Sequence, residues 1–159
     1  MDEVVFAQEC TAELYPFTEA ELAFFKKELN FKYVSANQKI TWTHNLLKEF
    51  EEEWDFELIN KNRTIFRKVT LGLLFPTKIE LPNCNCFRQE DFCEDAQCRI
   101  NARRLQYISK LREKNSTTYF RIAILCDTGL IKEDLLFDLF KNESITNLQK
   151  LINSSFPSS

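Results

Sequence analysis

Apolar positions in the first half of the chain recur in two blocks of one design. Residues 17–40 and 42–65 superpose at a period of about 25 residues. Phe17 falls on Trp42, Thr18 on Thr43, Leu22 on Leu47, Phe31 on Phe56, Asn37 on Asn62 and Ile40 on Ile65. So short a period marks stacked helical units, each too small to bury its apolar face alone. Thr18-Glu19-Ala20-Glu21 has the form of a capping box and opens a helix over about 19–29. Its stripe is Leu22, Phe25 and Leu29, with Lys26, Lys27 and Glu28 facing outward. Thr43 opens the second copy, a helix over about 44–53 with Leu46, Leu47, Phe50 and Trp54 as its stripe. A shorter helix follows each long one, over 31–37 and 56–62. Each closes on an asparagine, Asn37 or Asn62, which reads as a left-handed helix terminus. A weak third copy runs from Phe66 to Leu71 and ends near Pro76.

Outside the repeat the pattern stays helical with one interruption. Asp2 to Leu14 reads as a short helix ended by Pro16. Between Pro76 and Cys98 the rhythm stops, and Pro76 and Pro82 disfavour a regular element there. A long helix is expected over about 95–114, burying Ile100, Leu105, Ile108 and Leu111. Residues 117–126 read as helix or as buried strand; no partner strand stands elsewhere, so helix is preferred. Helices over about 131–141 and 145–153, the latter capped by Ser144, complete the chain. The expected fold is mostly α: a compact bundle of short helices in one domain, 1–153. It carries a two-copy repeat (units about 17–41 and 42–66), an irregular Cys-rich loop (about 76–98) and a loose tail, 154–159.

Ile40, Trp42, Thr43, Leu46, Leu47, Phe50, Trp54, Asp55, Phe56, Ile59, Asn60 and Asn62 together resemble a known pattern. It is the short tryptophan-rich repeat found in tandem in uncharacterised bacterial proteins, approximately I-x-W-[ST]-x-x-[LF]-[IL]-x-x-[FY]-x-x-x-W-[DN]-[WF]-x-x-[LI]-[SN]-x-N. The likeness covers roughly a third of the chain, and in the divergent first copy Phe17 and Leu29 stand where tryptophan is expected. The resemblance implies a helical repeat and no particular activity.

Composition narrows the chemistry. Glycine occurs only at positions 72 and 129, and no G-x-G-x-x-G, P-loop or G-x-S-x-G motif is present, which excludes those nucleotide and hydrolase folds. His44 is the single histidine and stands at a predicted helix start, so H-E-x-x-H zinc sites and E-x-x-H di-iron sites have no basis here. No apolar run approaches membrane-spanning length, and Met1-Asp2-Glu3 lacks a basic leader. A cytoplasmic chain is expected, or a nuclear one if the source is eukaryotic. In such a compartment cysteines serve as thiols or metal ligands rather than disulfides.

Cys84-x-Cys86-x6-Cys93-x4-Cys98 is the constellation with chemical content. Four thiolates in a flexible segment can close a tetrahedral zinc site, with sulfurs about 2.3 Å from the ion. Ordinary apolar thiols, or disulfides in an oxidising compartment, are the other readings. Cys10 and Cys126 stand among apolar residues and read as core thiols. Charge divides along the chain: acidic at Glu49, Glu51, Glu52, Glu53, Asp55 and Glu57, basic in the middle from Arg99 to Arg121. The expected function is therefore a non-enzymatic, regulatory protein-binding module with zinc as its metal, meeting another protein through Glu49, Glu52, Glu53 and Glu57. The alternative is nucleic-acid binding through Arg99, Arg103, Arg104, Lys110, Arg112 and Lys114, with Tyr107 interleaved. An enzyme working through its carboxylates ranks last.

Overall fold

The computed structural model describes residues 2–66, 71–81, 83–84, 93–95, 98 and 107–158. All regular structure among them is helical, as the apolar periodicity requires. The helices are α1 (Glu3–Leu14), α2 (Glu19–Phe24), α3 (Phe31–Ser35), α4 (His44–Glu49), α5 (Phe56–Lys61), α6 (Arg63–Phe66), α7 (Leu71–Leu74), α8 (Lys110–Lys114), α9 (Ser116–Asp127), α10 (Glu133–Phe140) and α11 (Thr146–Ser155). They form two compact units, Met1–Ile40 with Ser109–Ser159, and Thr41–Ile108. One copy of the repeat lies in each.

The first unit is organised on α1, which packs against α3, α8, α9 and α10. Its second half is buried on every side, and Ala7, Cys10, Thr11 and Ala12 are small enough to let neighbouring helices close in. The Asp2 carboxylate starts it by accepting from the amides of Val4 (2.9 Å) and Val5 (3.2 Å). Glu13 is buried, and Tyr119 Oη donates to its Oε1 at 2.9 Å. Residues 117–126 fall within α9, whose start is capped by Asn115 Oδ1 accepting from Thr118 N at 3.1 Å. Gly129 ends that helix at φ 71°. Leu130 N donates to Leu125 O (3.0 Å) and Gly129 N to Cys126 O (3.3 Å), the paired bonds of a left-handed C-terminus.

The two repeat copies have like forms. Thr18 and Thr43 each accept from the amide three residues on, both at 3.1 Å, and Thr18 completes its capping box with Glu21. The second helix of each copy also starts on a capping side chain: Asn30 accepts from Lys32 N and Asp55 from Leu58 N. Equivalent positions are buried alike, Phe17 with Trp42, Leu22 with Leu47, Leu29 with Trp54 and Ile40 with Ile65. Trp42 and Trp54 meet edge to face at 5.2 Å, and Trp54 Nε1 donates to Leu47 O at 2.9 Å.

Several expectations are corrected. The first helix of each copy stops early, at Phe24 and Glu49, and continues as turns. Asn37 and Asn62 are not left-handed. Among the described residues the non-glycine at positive φ is Glu143 (49°), and Asn62 is extended at φ −79°, ψ 106°. Both asparagines are instead fully buried, with Oδ1 accepting backbone amides further along the chain. No continuous helix spans 95–114: Cys98 lies in a bend, residues 107–109 are non-helical, and Ser109 is extended at φ −67°, ψ 122°. Ile108 is 72% exposed while Leu111 is buried in the first unit, so the two do not share a buried helix face. Ile100 and Leu105 lie outside the described residues, as does most of the weak third copy. Ser144 precedes the cap position of α11, which is Ile145.

Candidate metal centre

In the second unit, α7 leads into the cysteine segment. Phe75 N closes onto Leu71 O at 2.7 Å, and Lys78 and Ile79 return their amides to Phe75 O. The buried Phe75 and Ile79 fix this turn in the apolar core. Residues 80 and 81 then lie tight against α7, a close approach that Gly72 eases: a Cβ there would stand 3.1 Å from the Glu80 carbonyl and 2.9 Å from Leu81 Cδ2. Asp95 gathers the segment that bears the cysteines. Its carboxylate accepts from the amide of Asn83, beside Cys84, and its carbonyl accepts from the amide of Cys98 at 3.0 Å.

The result is that Cys84, Cys93 and Cys98 converge, with their sulfurs all within 4.8 Å of one another. Cys98 is buried and the other two are half-buried. A tetrahedral ion with ligands at about 2.3 Å holds its sulfurs about 3.8 Å apart, so shifts of about an ångström close these three on a metal. Three cysteines can thus hold a metal ion here. Among the described residues no other three His, Cys, Asp or Glu donors lie so close together. Cys86 lies outside the described residues. Asp95 was missed as an organiser; the signal available in the sequence was an aspartate three residues before a cysteine, a turn-forming spacing.

Cys10 and Cys126 are buried core thiols in the first unit, as their apolar neighbours suggested. Burial, aided by Asp127 and opposed by Lys39, pushes the Cys126 thiol up to about 12. Burial also raises the Cys10 thiol, with Glu13 and Glu9 adding to it. Both therefore stay protonated at neutral pH and are poor nucleophiles and ligands.

Glu49, Glu52 and Glu57 are exposed and Glu53 is half-buried. Part of the acidic run has local work: Glu57 pairs with Lys61 at 2.7 Å, Glu51 with Lys48 at 3.2 Å, and Asp55 caps α5. Of the basic set, Arg99, Arg103 and Arg104 lie outside the described residues. Lys110, Arg112 and Lys114 are exposed on the five-residue α8, where the Arg112 guanidinium lies 5.0 Å from the centre of the Phe120 ring. His44 is exposed in the first turn of α4. No described helix is long and apolar enough to cross a membrane. No protein-family model, curated protein or solved structure matches the chain.

Proposed function

We propose that the chain is a non-enzymatic, regulatory protein-binding module of the tryptophan-rich helical-repeat kind, with a structural zinc ion held by Cys84, Cys86, Cys93 and Cys98. The observation that carries it is the convergence of three sulfurs in a segment that Asp95 gathers by its backbone and side chain. Thiolate sets of this kind favour zinc. The ion would supply folding energy to a stretch whose described residues between Leu74 and Lys110 form no helix. Cys86, two residues from Cys84, is the fourth ligand in this reading. The partner is another protein with basic groups, met in the cytoplasm or nucleus through Glu49, Glu52, Glu53 and Glu57, three of which are exposed.

Elemental analysis with a thiol titration tests the metal. The expected result is one zinc per chain, lost in Cys98→Ser, with all six cysteines titrating as thiols once the protein is denatured and chelated. Metal-free native protein, or a mass short of two hydrogens from a disulfide among the four, overturns it. For the partner, joint replacement of Glu49, Glu52, Glu53 and Glu57 by glutamine is expected to abolish capture of the protein that the wild type retains. Undiminished capture removes that face from the proposal.

A further inference from the structure

The first unit carries a cleft of about 500 Å³ between α2 and α10, built without the cysteine cluster or the acidic run at 49–57. Phe24, Phe25 and Phe137 line it, with Glu21, Glu133 and Asp134 at its polar side. Phe25 is buried and anchors the floor. Phe24 and Phe137 are 56% and 44% exposed, leaving apolar ring area to water on two neighbouring helices. Their ring centres are 6.3 Å apart at an interplanar angle of 32°. Both rings present exposed area beside the carboxylates.

Phe24 and Phe25 already attract a cation. Lys141, which is outside the cleft lining, holds its Nζ 4.7 Å from the Phe24 ring centre and 5.8 Å from that of Phe25, fixed by Glu28 at 2.9 Å. Among the described residues, the carboxylates on the cleft side have no such lysine. Glu133 and Asp134 are exposed in the first turn of α10, and Glu21 is held in place by Thr18 N (3.0 Å) and Tyr15 Oη (3.1 Å). Burial first, then Glu21, with Cys126 and Glu133 adding to it, raises the phenol of Tyr15, which stands behind Glu21. Aromatic area rimmed by carboxylates suits a planar cation with an apolar stem, which is an arginine side chain. The same carboxylates repel phosphate, whether on nucleic acid or on a lipid surface. A second copy of this chain, with net charge −3, is a poorer electrostatic match than a basic partner.

We propose that this cleft receives a basic segment of another protein, laying an arginine over Phe24 and Phe137 with its guanidinium held by Glu133 and Asp134. It shares with the reading above only the class of partner, and it stands or falls independently of the zinc and of the Glu49–Glu57 face.

The test titrates the 159-residue protein with an end-blocked Gly-Arg-Leu-Gly-Arg-Leu-Gly peptide, and with the same peptide carrying citrulline for arginine, followed by NMR. The arginine peptide is expected to shift the Phe24, Phe25 and Phe137 signals saturably. The uncharged isostere should bind about tenfold more weakly. The double variant Glu133→Gln with Asp134→Asn should lower arginine binding to the citrulline level, and Phe24→Ala with Phe137→Ala should abolish it. All four side chains are exposed, so the spectrum elsewhere should remain that of the folded protein. Equal binding of the two peptides, shifts confined to other surfaces, or sedimentation showing the cleft covered in a dimer would each overturn the proposal.

Discussion

Asn37 has no exposed surface, and its amide group joins two parts of the chain. Its Nδ2 donates to Ala12 O at 2.9 Å and Tyr15 O at 2.8 Å, while Oδ1 accepts from Lys39 N at 2.7 Å and Ile40 N at 3.2 Å. Buried polar groups stripped of a partner cost about 1–3 kcal/mol each. Some relaxation is expected, so Asn37→Ala should lower unfolding free energy by about 2–4 kcal/mol in urea titrations. Glycine separates the two possible roles. At a left-handed terminus Asn37→Gly would be neutral or stabilising; with the amide as the working part it should be at least as damaging as alanine. The recurrence of Asn37 and Asn62 was legible in the sequence, but its reason was not, because the same residue serves left-handed turns and buried brackets alike. Cys126 gives a second prediction at this scale. Its thiol rises from an ordinary value of 9.0 to about 12 in the fold. Between those values the unfolded chain has lost the proton that the folded chain keeps. That contribution to stability is whole below pH 9 and falls through pH 9–12 by up to about 1.4 kcal/mol per pH unit. Cys10 acts with the same sign. Cys126→Ala should therefore show a shallower loss of stability than the wild type over that window; parallel curves would refute the assignment.

The second repeat copy depends on an aromatic cluster joining its two helices. Trp54 touches Trp42 at 5.2 Å and Phe50 at 5.9 Å between ring centres, and its indole satisfies Leu47 O. Trp54→Phe keeps a ring but leaves that carbonyl without its indole donor, an expected loss of about 1–2 kcal/mol. Trp54→Ala adds the cavity and should lose about 3–5 kcal/mol. The pair of variants, compared by thermal and urea unfolding, weighs the hydrogen bond against the packing; equal losses would mean that the indole donor contributes everything. The first copy carries Leu29 at this place, buried to 7% exposure, so the position demands apolar bulk and only the second copy adds a polar link. Such stripes were legible because burial follows the 3.6-residue period, and Leu22, Phe25, Leu46, Leu47 and Phe50 are all buried. Where the same reasoning was carried across Ile108 and Leu111, it failed. Periodicity reports which residues can share a helix face, and it does not register that the chain passes from one compact unit to another between them.

On the scale of the molecule, the return of Ser109–Ser159 to Met1–Ile40 was the least legible feature. The bond from Tyr119 to Glu13 joins residues 106 positions apart, and no local signal names such partners. The cysteine segment belongs to the other unit, where Trp42, Trp54, Ile59, Ile65 and Phe75 form the core. Cys98 is itself buried there. An ion bound by Cys84, Cys93 and Cys98 would tie Cys84 and Cys93 to the buried Cys98 of that unit. Its loss should then be felt first in that unit. After treatment with a zinc chelator, hydrogen exchange at the Trp54 indole and at the amides of Ile59 and Phe75 is expected to accelerate by about tenfold or more, because a structural ion contributes several kcal/mol to its domain. Amides of Leu125, Ile122 and Leu136 lie in helices of the first unit and should exchange as before. Cys98→Ser should reproduce the chelator's pattern without any chelator present, which separates metal loss from a solvent effect. If chelation leaves the indole of Trp54 as protected as before, the cluster is not a structural metal site. Equal acceleration at Trp54 and Leu136 would show instead that the metal's contribution is not local to the unit that holds the cysteines.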